Sequence, residues 1–383
     1  MRILYGVVGE GMGHATRSRV VIEHLLDHGH EVYVVVSGKA FGFLERVFGG
    51  RRGFGITEIA GLRLVQDEDG IDRSETLRTN LSAAPDNLRH NLEKYLEVAS
   101  RFSAEVVISD FESWAYMYAR AHDIPVISID NIQVLHRCAH ADWVSGTRSF
   151  NFLVARYSAK AKMPGAYHFL VTTFFTPPVR KKRTTLVPPI LRPEVLAATR
   201  SAGDHVLVYQ HAPALRALLP VLQQRTDQRF VVYGLGQQGS EHDHITFRPF
   251  SQTGFIDDLA SARGAIAGGG FSLMSECVHL QVPLLAVPLA DQFEQELNAR
   301  YLARLGYGAW VESLTDAAVD RFLADLPRHT AALQGWRPRD NGMTLACLDE
   351  LLHRVQMGEP APESLDAESL GDIVSARTDA ILG

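Results

Sequence analysis

The 383-residue sequence has little cysteine, no long apolar run and no excess of positive charge. Its three cysteines, Cys138, Cys277 and Cys347, form no Cys-x-x-Cys pair, which argues against a disulfide framework or a cysteine zinc site. No apolar run reaches the ~18 residues that a membrane-spanning helix needs, and no signal peptide is recognisable. The net charge of −6 gives no positive electrostatic potential that would attract nucleic acid, which argues against a nucleic-acid-binding protein. We expect a cytoplasmic protein, with peripheral contact at the inner membrane face as the alternative.

Strand and helix patterns alternate along the whole chain, which predicts an α/β protein with parallel sheets covered by helices. The length favours two domains. A proline-rich stretch at 176–193 is unsuited to a sheet interior and is interpreted as the crossing between them. We therefore predict a first domain at 1–180, a second at 194–357, and a tail at 358–383 that packs back or is partly disordered. The polar stretch 61–84 is predicted to be a loop over the cleft.

A glycine turn between a predicted strand and a predicted helix is the most informative stretch. Gly268, Gly269 and Gly270 lie between the strand that ends at Ala267 and the helix that begins at Phe271. Glycines let a ligand approach the backbone, and the free N–H groups of a helix N-terminus favour a phosphate. The alternative interpretation is a tight turn with no ligand.

Polar groups that follow the glycine turn fit a sugar nucleotide. Glu276 lies further along the same predicted helix, within reach of a ribose hydroxyl if the phosphate sits at Gly269 and Gly270. Carboxylates and amides, which grip sugars through paired hydrogen bonds, then occur together at Asp291, Gln292, Glu294 and Gln295.

The first glycine loop does not fit a nicotinamide or flavin site. Gly9, Gly11 and Gly13 are spaced G-x-G-x-G rather than G-x-G-x-x-G. The second predicted strand also ends without an acidic residue for a ribose.

His14 and Asp110 are the candidate catalytic residues. His14 lies where this loop meets a helix N-terminus, which lowers the pKa of a histidine and keeps it able to accept a proton. Asp110 ends another predicted strand at the same sheet edge. If the two strands are neighbours, the carboxylate orients the imidazole, and the pair can deprotonate a hydroxyl. No serine or cysteine nucleophile motif accompanies them, which argues against a hydrolase.

A second histidine cluster is predicted to line the cleft rather than to bind metal. His136 and His140 are four residues apart, so they would share a face if they were on a helix, with Cys138 and Asp142 nearby. No third ligand has suitable spacing, and we predict no metal site.

Together these motifs resemble the inverting glycosyltransferases of the GT-B fold, families 1 and 28. These include natural-product enzymes and the peptidoglycan enzyme that adds N-acetylglucosamine to lipid I. The likeness spans roughly 1–356 and is carried by Gly-His-x-x-Arg at 13–17, by Pro-Pro-Ile-Leu-Arg at 188–192, and by the donor segment from Gly268 to Ala299. The plant signature's opening tryptophan is absent, and five residues separate Asp-Gln from Asn-Ala.

The resemblance implies two Rossmann-like domains facing each other across a cleft, and it implies roles for particular residues. The glycine turn with Ser272 would contact the diphosphate, Glu276 the ribose, and either Asp291–Gln292 or Glu294–Gln295 the sugar. His14 would be the base, paired with Asp110. The acceptor side would include Gly13, Arg17, Asn131 and His136.

The implied activity is metal-independent, inverting transfer of a sugar from a UDP- or dTDP-linked donor to the hydroxyl of a small-molecule, glycan or lipid-linked acceptor. No cofactor beyond the nucleotide sugar is expected. The alternatives are a nucleotide-sugar 2-epimerase of the same fold and a non-catalytic sugar-nucleotide-binding protein.

Overall fold

The computed structural model describes residues 1–9, 11–61, 73–145, 149–210, 212–235, 239–249, 251–290 and 292–370. Over this range the chain forms two seven-stranded sheets, each covered by helices. The predicted two-domain α/β architecture is confirmed. Asp291, residues 62–72 of the predicted loop and residues 371–383 of the predicted tail lie outside the described residues.

The first sheet is entirely parallel and has the order β3-β2-β1-β4-β5-β6-β7. Its central strands β4 and β5 are buried over their whole length and mainly apolar, because helices cover both faces of the sheet. The strands are β1 Arg2–Val7, β2 Glu31–Val36, β3 Phe54–Glu58, β4 Val106–Asp110, β5 Val126–Asp130, β6 His168–Thr172 and β7 Thr184–Val187. The helices of this half are α1 Met12–Asp27, α2 Lys39–Phe48, α3 Arg73–Arg101, α4 Ser113–Ala121, α5 Val134–Arg137, α6 Asp142–Ser145 and α7 Phe150–Lys162.

The second sheet has the order β10-β11-β9-β8-β12-β13-β14 and is parallel except for the β10–β11 pair. Its strands are β8 His205–Tyr209, β9 Arg229–Tyr233, β10 Gly239–His242, β11 Ile245–Arg248, β12 Gly264–Gly268, β13 Leu284–Val287 and β14 Gly308–Trp310. The remaining helices are α8 Pro193–Ala197, α9 Ala212–Gln223, α10 Gln252–Ser261, α11 Phe271–His279, α12 Phe293–Arg304, α13 Asp316–Leu333 and α14 Gly342–Gln356.

The first domain extends past the predicted end at 180. Strand β7 lies inside the stretch interpreted as the crossing, and it pairs with β6 from Thr184 to Val187. It is the edge strand of its sheet, the place where a proline-rich neighbourhood is tolerated. The link between the sheets is therefore shorter than the sequence suggested.

The C-terminal helix α14 packs on the first domain, although the prediction placed it in the second. Leu348, Leu351 and Leu352 are buried in one core with Ile3 and Leu25. The chain then continues along β7, where Leu365 N–H donates to Thr185 Oγ1 over 2.9 Å. The described part of the tail therefore lies against the first domain.

The predicted loop at 61–84 is wrong over its second half, because α3 begins at Arg73. Pro85 lies inside this helix, and a proline normally ends one. Both this proline and the polar composition of 73–84 argued against a helix in the sequence, although the structure has one there.

Candidate active site

His14 and Asp110 meet at the carboxyl edge of the first sheet. Strands β1 and β4 are parallel neighbours, with Val7 beside Asp110, and α1 begins just after β1. His14 lies in the first turn of α1, and its Nδ1 is 2.9 Å from Asp110 Oδ1. The His14 side chain remains 17% exposed, whereas Asp110 is almost completely buried. The neighbouring strands that the pairing required are thus present.

Arg17 joins this pair more closely than its predicted acceptor-side position suggested. Its Nε donates to Asp110 Oδ2 over 2.8 Å, and its Nη2 donates to Oδ1. Ser18 Oγ also donates to Oδ2, over 3.1 Å. Residues 14, 17 and 18 share one face of α1, so Asp110 is surrounded by three side chains of one helix.

The pKa values of this cluster favour an ionised Asp110 and a neutral His14. Burial alone would raise the pKa of Asp110, but the charge of Arg17 and the hydrogen bonds from His14 and Arg17 hold it well below its usual range. The pKa of His14 is lowered by burial and by the charge of Arg17, against the opposing effect of Asp110. A neutral imidazole can accept a proton at neutral pH.

Two tautomers of His14 are compatible with its contacts. Nδ1 also lies 2.6 Å from Arg17 Nη2, a group that can only donate. If Nδ1 carries the proton, it donates to Asp110 and Nε2 is the free base. If Nδ1 accepts from Arg17, Nε2 carries the proton and cannot act as a base.

Two further features at this edge were missed in the sequence. Phe111, directly after Asp110, has a φ of 56°, a left-handed conformation that costs energy in a non-glycine residue and occurs often at functional sites. The Lys162 ammonium lies 4.9 Å from the Phe111 ring centroid, and its charge contributes to the low pKa of His14. No motif marks either residue, because α7 brings Lys162 to the site from a distance along the chain.

The glycine turn of the second domain presents an uncapped helix N-terminus. Gly270 is the N-cap of α11, and no side chain in the described part of the chain caps this end. The first intrahelical bond runs from Met274 N–H to Gly270 C=O, so the preceding N–H groups have no partner in the helix. A Cβ at Gly270 would meet no atom of the described residues within 4 Å, whereas one at Gly269 would lie 2.7 Å from Gln295 Cβ. Gly270 therefore borders open space, and Gly269 is needed for packing.

Glu276 is bound by an arginine from the crossing between the domains. Both carboxylate oxygens accept from Arg192, over 2.8 and 2.9 Å, and the Glu276 side chain is only 7% exposed. Burial raises the pKa of Glu276, and the charge of Arg192 opposes this rise. The predicted ribose ligand is thus held in one orientation by a residue that sequence reasoning had placed only in the crossing.

Gln292 and Gln295 are bound to each other, while Glu294 faces the first domain. Gln295 Nε2 donates to Gln292 Oε1, and Gln295 Oε1 accepts from Leu289 N–H over 3.1 Å. Glu294 lies close enough to Arg17 for that charge to act on it, but burial is the larger effect and raises its pKa to about 7. Among the predicted sugar ligands, Gln292 and Gln295 therefore stabilise their own loop. Glu294 instead accepts from Asn298, which contacts the first domain.

A chain of side-chain amides crosses between the domains beside Glu294. Asn298 Nδ2 donates to Glu294 Oε1 over 2.8 Å and to Asn131 Oδ1 over 2.9 Å. Asn131, predicted on the acceptor side, in turn donates to Thr172 C=O over 2.7 Å. Both asparagines are buried, so these contacts fix how the two halves meet at the site.

The N-termini of α1 and α11 also meet across this boundary. A Cβ at Gly13 would lie 2.8 Å from Ser272 Oγ, so the first turns of the two helices are in contact. Among the residues that the structure describes, no side chain caps either N-terminus. Two positive helix ends whose first turns are in contact form an electrostatically favourable place for an anion.

His136 and His140 form no shared helical face. Helix α5 ends at Arg137, so His140 lies beyond it. The nitrogens of His140 are 3.0 Å from Tyr301 Oη and Val134 C=O. Burial and the charges of Arg137 and its basic neighbours lower the pKa of His136 to about 4.

Gln210 is another residue that the sequence did not single out. It follows β8, is buried, and its Nε2 has no hydrogen-bond partner among the described residues. A Cβ at Gly268 would lie 3.6 Å from Gln210 Oε1. The amide is therefore available at the start of the glycine turn.

Two facing Rossmann-like domains of this kind define the GT-B fold, and solved structures with similar folds support this assignment. The Phytolacca americana UGT2 structure, complexed with UDP-2fluoro-glucose and pterostilbene, is 14% identical with a TM-score of 0.63, covering 93% of this chain and 99% of that one. Acinetobacter baumannii MurG is 15% identical with a TM-score of 0.57, covering 91% and 99%.

The sequence comparison identifies the family. Residues 1–327 match the model of glycosyl transferase family 1, and the chain belongs to that family. An uncharacterized glycosyltransferase of Methanosarcina mazei is 23% identical over 354 residues, which cover 83% of this chain and 88% of the relative. Among the described residues, no helix has both the length and the apolar character needed to cross a membrane.

Proposed function

We propose that this glycosyltransferase is an inverting enzyme that uses a UDP- or dTDP-linked sugar, with His14 as the general base. The observation that carries the proposal is the placement of the His14–Asp110–Arg17 cluster opposite Glu294 and the open N-terminus of α11. One side can accept a proton, and the other can hold a diphosphate and a sugar.

In the proposed reaction, Nε2 of His14 takes the proton of an acceptor hydroxyl. The oxygen attacks the anomeric carbon from the face opposite the leaving diphosphate, which inverts the configuration. Asp110 stabilises the imidazolium that forms, and it stays ionised because Arg17 is paired with it. The reaction requires the tautomer in which Nδ1–H donates to Asp110.

The leaving diphosphate would lie against the N–H groups at the start of α11, whose positive end stabilises its charge. Glu276, oriented by Arg192, is suited to accept hydrogen bonds from the ribose. Glu294 is suited to accept one from a sugar hydroxyl. This division of roles favours Glu294 over Gln292 and Gln295 as the sugar ligand.

A two-stage experiment tests this function. Thermal stabilisation by a panel of nucleotide sugars identifies the donor, and incubation with alcohol acceptors, followed by NMR of the product's anomeric centre, tests for inversion. His14→Ala should reduce the turnover rate by about 10²–10⁴-fold and leave donor binding intact. Near-normal turnover by this variant would remove His14 as the base.

A control incubation with UDP-N-acetylglucosamine alone separates transfer from epimerisation. Formation of an epimer without any acceptor would replace the transferase proposal by the epimerase. Nucleotide binding with no turnover of any donor would instead indicate a binding protein.

A further inference from the structure

Two histidines and an aspartate lie together at the end of α1 opposite to His14. His24 and His28 are on consecutive turns of α1, and Asp349 comes from α14. One ligand atom of each lies within 4.8 Å of the others. We propose that these three side chains bind a divalent transition-metal ion such as Zn²⁺. The site is separate from the sugar-transfer site, since ten residues of helix place it about 15 Å from His14.

The geometry needs little adjustment to bind a metal. His24 Nε2 and Asp349 Oδ1 are 2.8 Å apart, whereas two ligands of a tetrahedral zinc ion are separated by about 3.3 Å. The rings of His24 and His28 have centroids 4.0 Å apart. Small side-chain rotations therefore bring three ligands around one ion, and water can fill the fourth position.

His28 is already oriented for this task. Its Nδ1 lies 2.8 Å from the carbonyl oxygen of His24. When Nδ1–H donates to that oxygen, the lone pair of Nε2 faces away and is free to bind. A backbone carbonyl that holds the second ring nitrogen in this way is the usual partner of a metal-binding histidine.

The position on the helices supports a cation independently of the ligand distances. His24 lies in the last turn of α1 and His28 is its C-cap. The negative end of the helix dipole is therefore at the site. Two imidazoles with a carboxylate favour zinc, copper or nickel over magnesium and calcium. His28 is exposed, and the Asp349 side chain is 39% exposed, so an ion can enter from solvent.

A metal at this site would join the C-terminal helix to the helix that carries His14. The same two helices also share a buried core, in which Leu351 and Leu352 of α14 lie with Leu25 of α1. Because the ion binds only when the two helices are together, it should stabilise the folded first domain.

The proposal is tested by adding ZnCl₂ to chelator-treated full-length protein. Calorimetry should give one saturable site, and Zn²⁺ should raise the melting temperature. His28→Ala, a change at an exposed side chain, should weaken Zn²⁺ binding at least ~10-fold and remove the thermal shift. His90→Ala, which removes a histidine outside the cluster, should change neither.

Asp349→Asn is the second variant, because it keeps the side-chain shape and removes the charge. It should also weaken Zn²⁺ binding, and both variants should lose the visible absorption that tetrahedral Co²⁺ produces in the wild-type protein. Absence of saturable binding, or equal affinity in the wild type, His28→Ala and Asp349→Asn, would overturn the proposal. Neither the presence nor the absence of Zn²⁺ binding would support or contradict the proposed sugar transfer.

Discussion

At the scale of single residues, Arg17 determines what the His14–Asp110 pair can do. It keeps the buried Asp110 carboxylate ionised and lowers the pKa of His14. The sequence predicted the histidine and the aspartate because both lie at a strand or helix end. It did not predict that Arg17 also binds Asp110, because an arginine side chain is long enough to reach several partners and only the fold shows which one it meets.

Replacing Arg17 tests this influence through pH dependence. In Arg17→Gln a positive charge beside His14 is lost, so the pKa of His14 should rise. Since the proposed general base must be unprotonated to act, the acid limb of the kcat/KM profile should move to higher pH. Loss of one partner of a buried ion pair should also lower the free energy of unfolding by about 3–5 kcal/mol.

Ser18→Ala is the matched control for this variant. It removes a neutral hydrogen bond to the same carboxylate, and should leave the acid limb close to its wild-type position. An acid limb that does not move in Arg17→Gln would show that the arginine does not govern the protonation of His14.

At the scale of elements, the proposed donor site depends on the start of α11. The glycine turn was recognisable from the sequence, because glycines between a strand and a helix allow a ligand to approach the backbone closely. The different roles of its glycines were not, since only the fold shows that Gln295 packs against Gly269 while Gly270 faces open space. The Arg192–Glu276 pair was also hidden, because its members are far apart in the chain.

Gly270→Asp and Gly270→Asn give a direct test of the phosphate site. Both side chains fit the open space and can cap α11, so the melting temperature without ligand should be maintained or raised slightly. Only aspartate places a negative charge where the diphosphate is proposed. Its UDP affinity, measured by calorimetry, should be at least ~10-fold lower than that of the asparagine variant. Similar UDP affinities in the wild type and Gly270→Asp would exclude this location for the phosphates.

At the scale of the whole molecule, helix α14, which follows the second domain in the sequence, packs on the first domain. Alternating strands and helices were sufficient to predict two α/β domains. They could not show that α14 crosses back, because an amphipathic helix does not reveal which core covers it. The same limit applied to β7, whose edge position only the sheet order reveals.

Leu351→Ala tests which domain α14 stabilises. Leu351 is fully buried with residues of the first sheet, so the truncation should cost about 2–5 kcal/mol. Hydrogen exchange should accelerate in β1 and remain unchanged in β12. Met357→Ala, at a side chain that is 63% exposed, should have little effect. Faster exchange in the second sheet alone would contradict the assignment of α14 to the first domain.

The amide contact between Asn131 and Asn298 has a consequence for recombining this enzyme with its relatives. Each domain supplies one member of this buried pair. A hybrid that takes its second domain from a relative must therefore carry a matching amide, or a buried polar group at the domain boundary will lack a hydrogen-bond partner. Residues 131 and 298 should therefore be exchanged together whenever one domain of this protein is combined with the other domain of a relative.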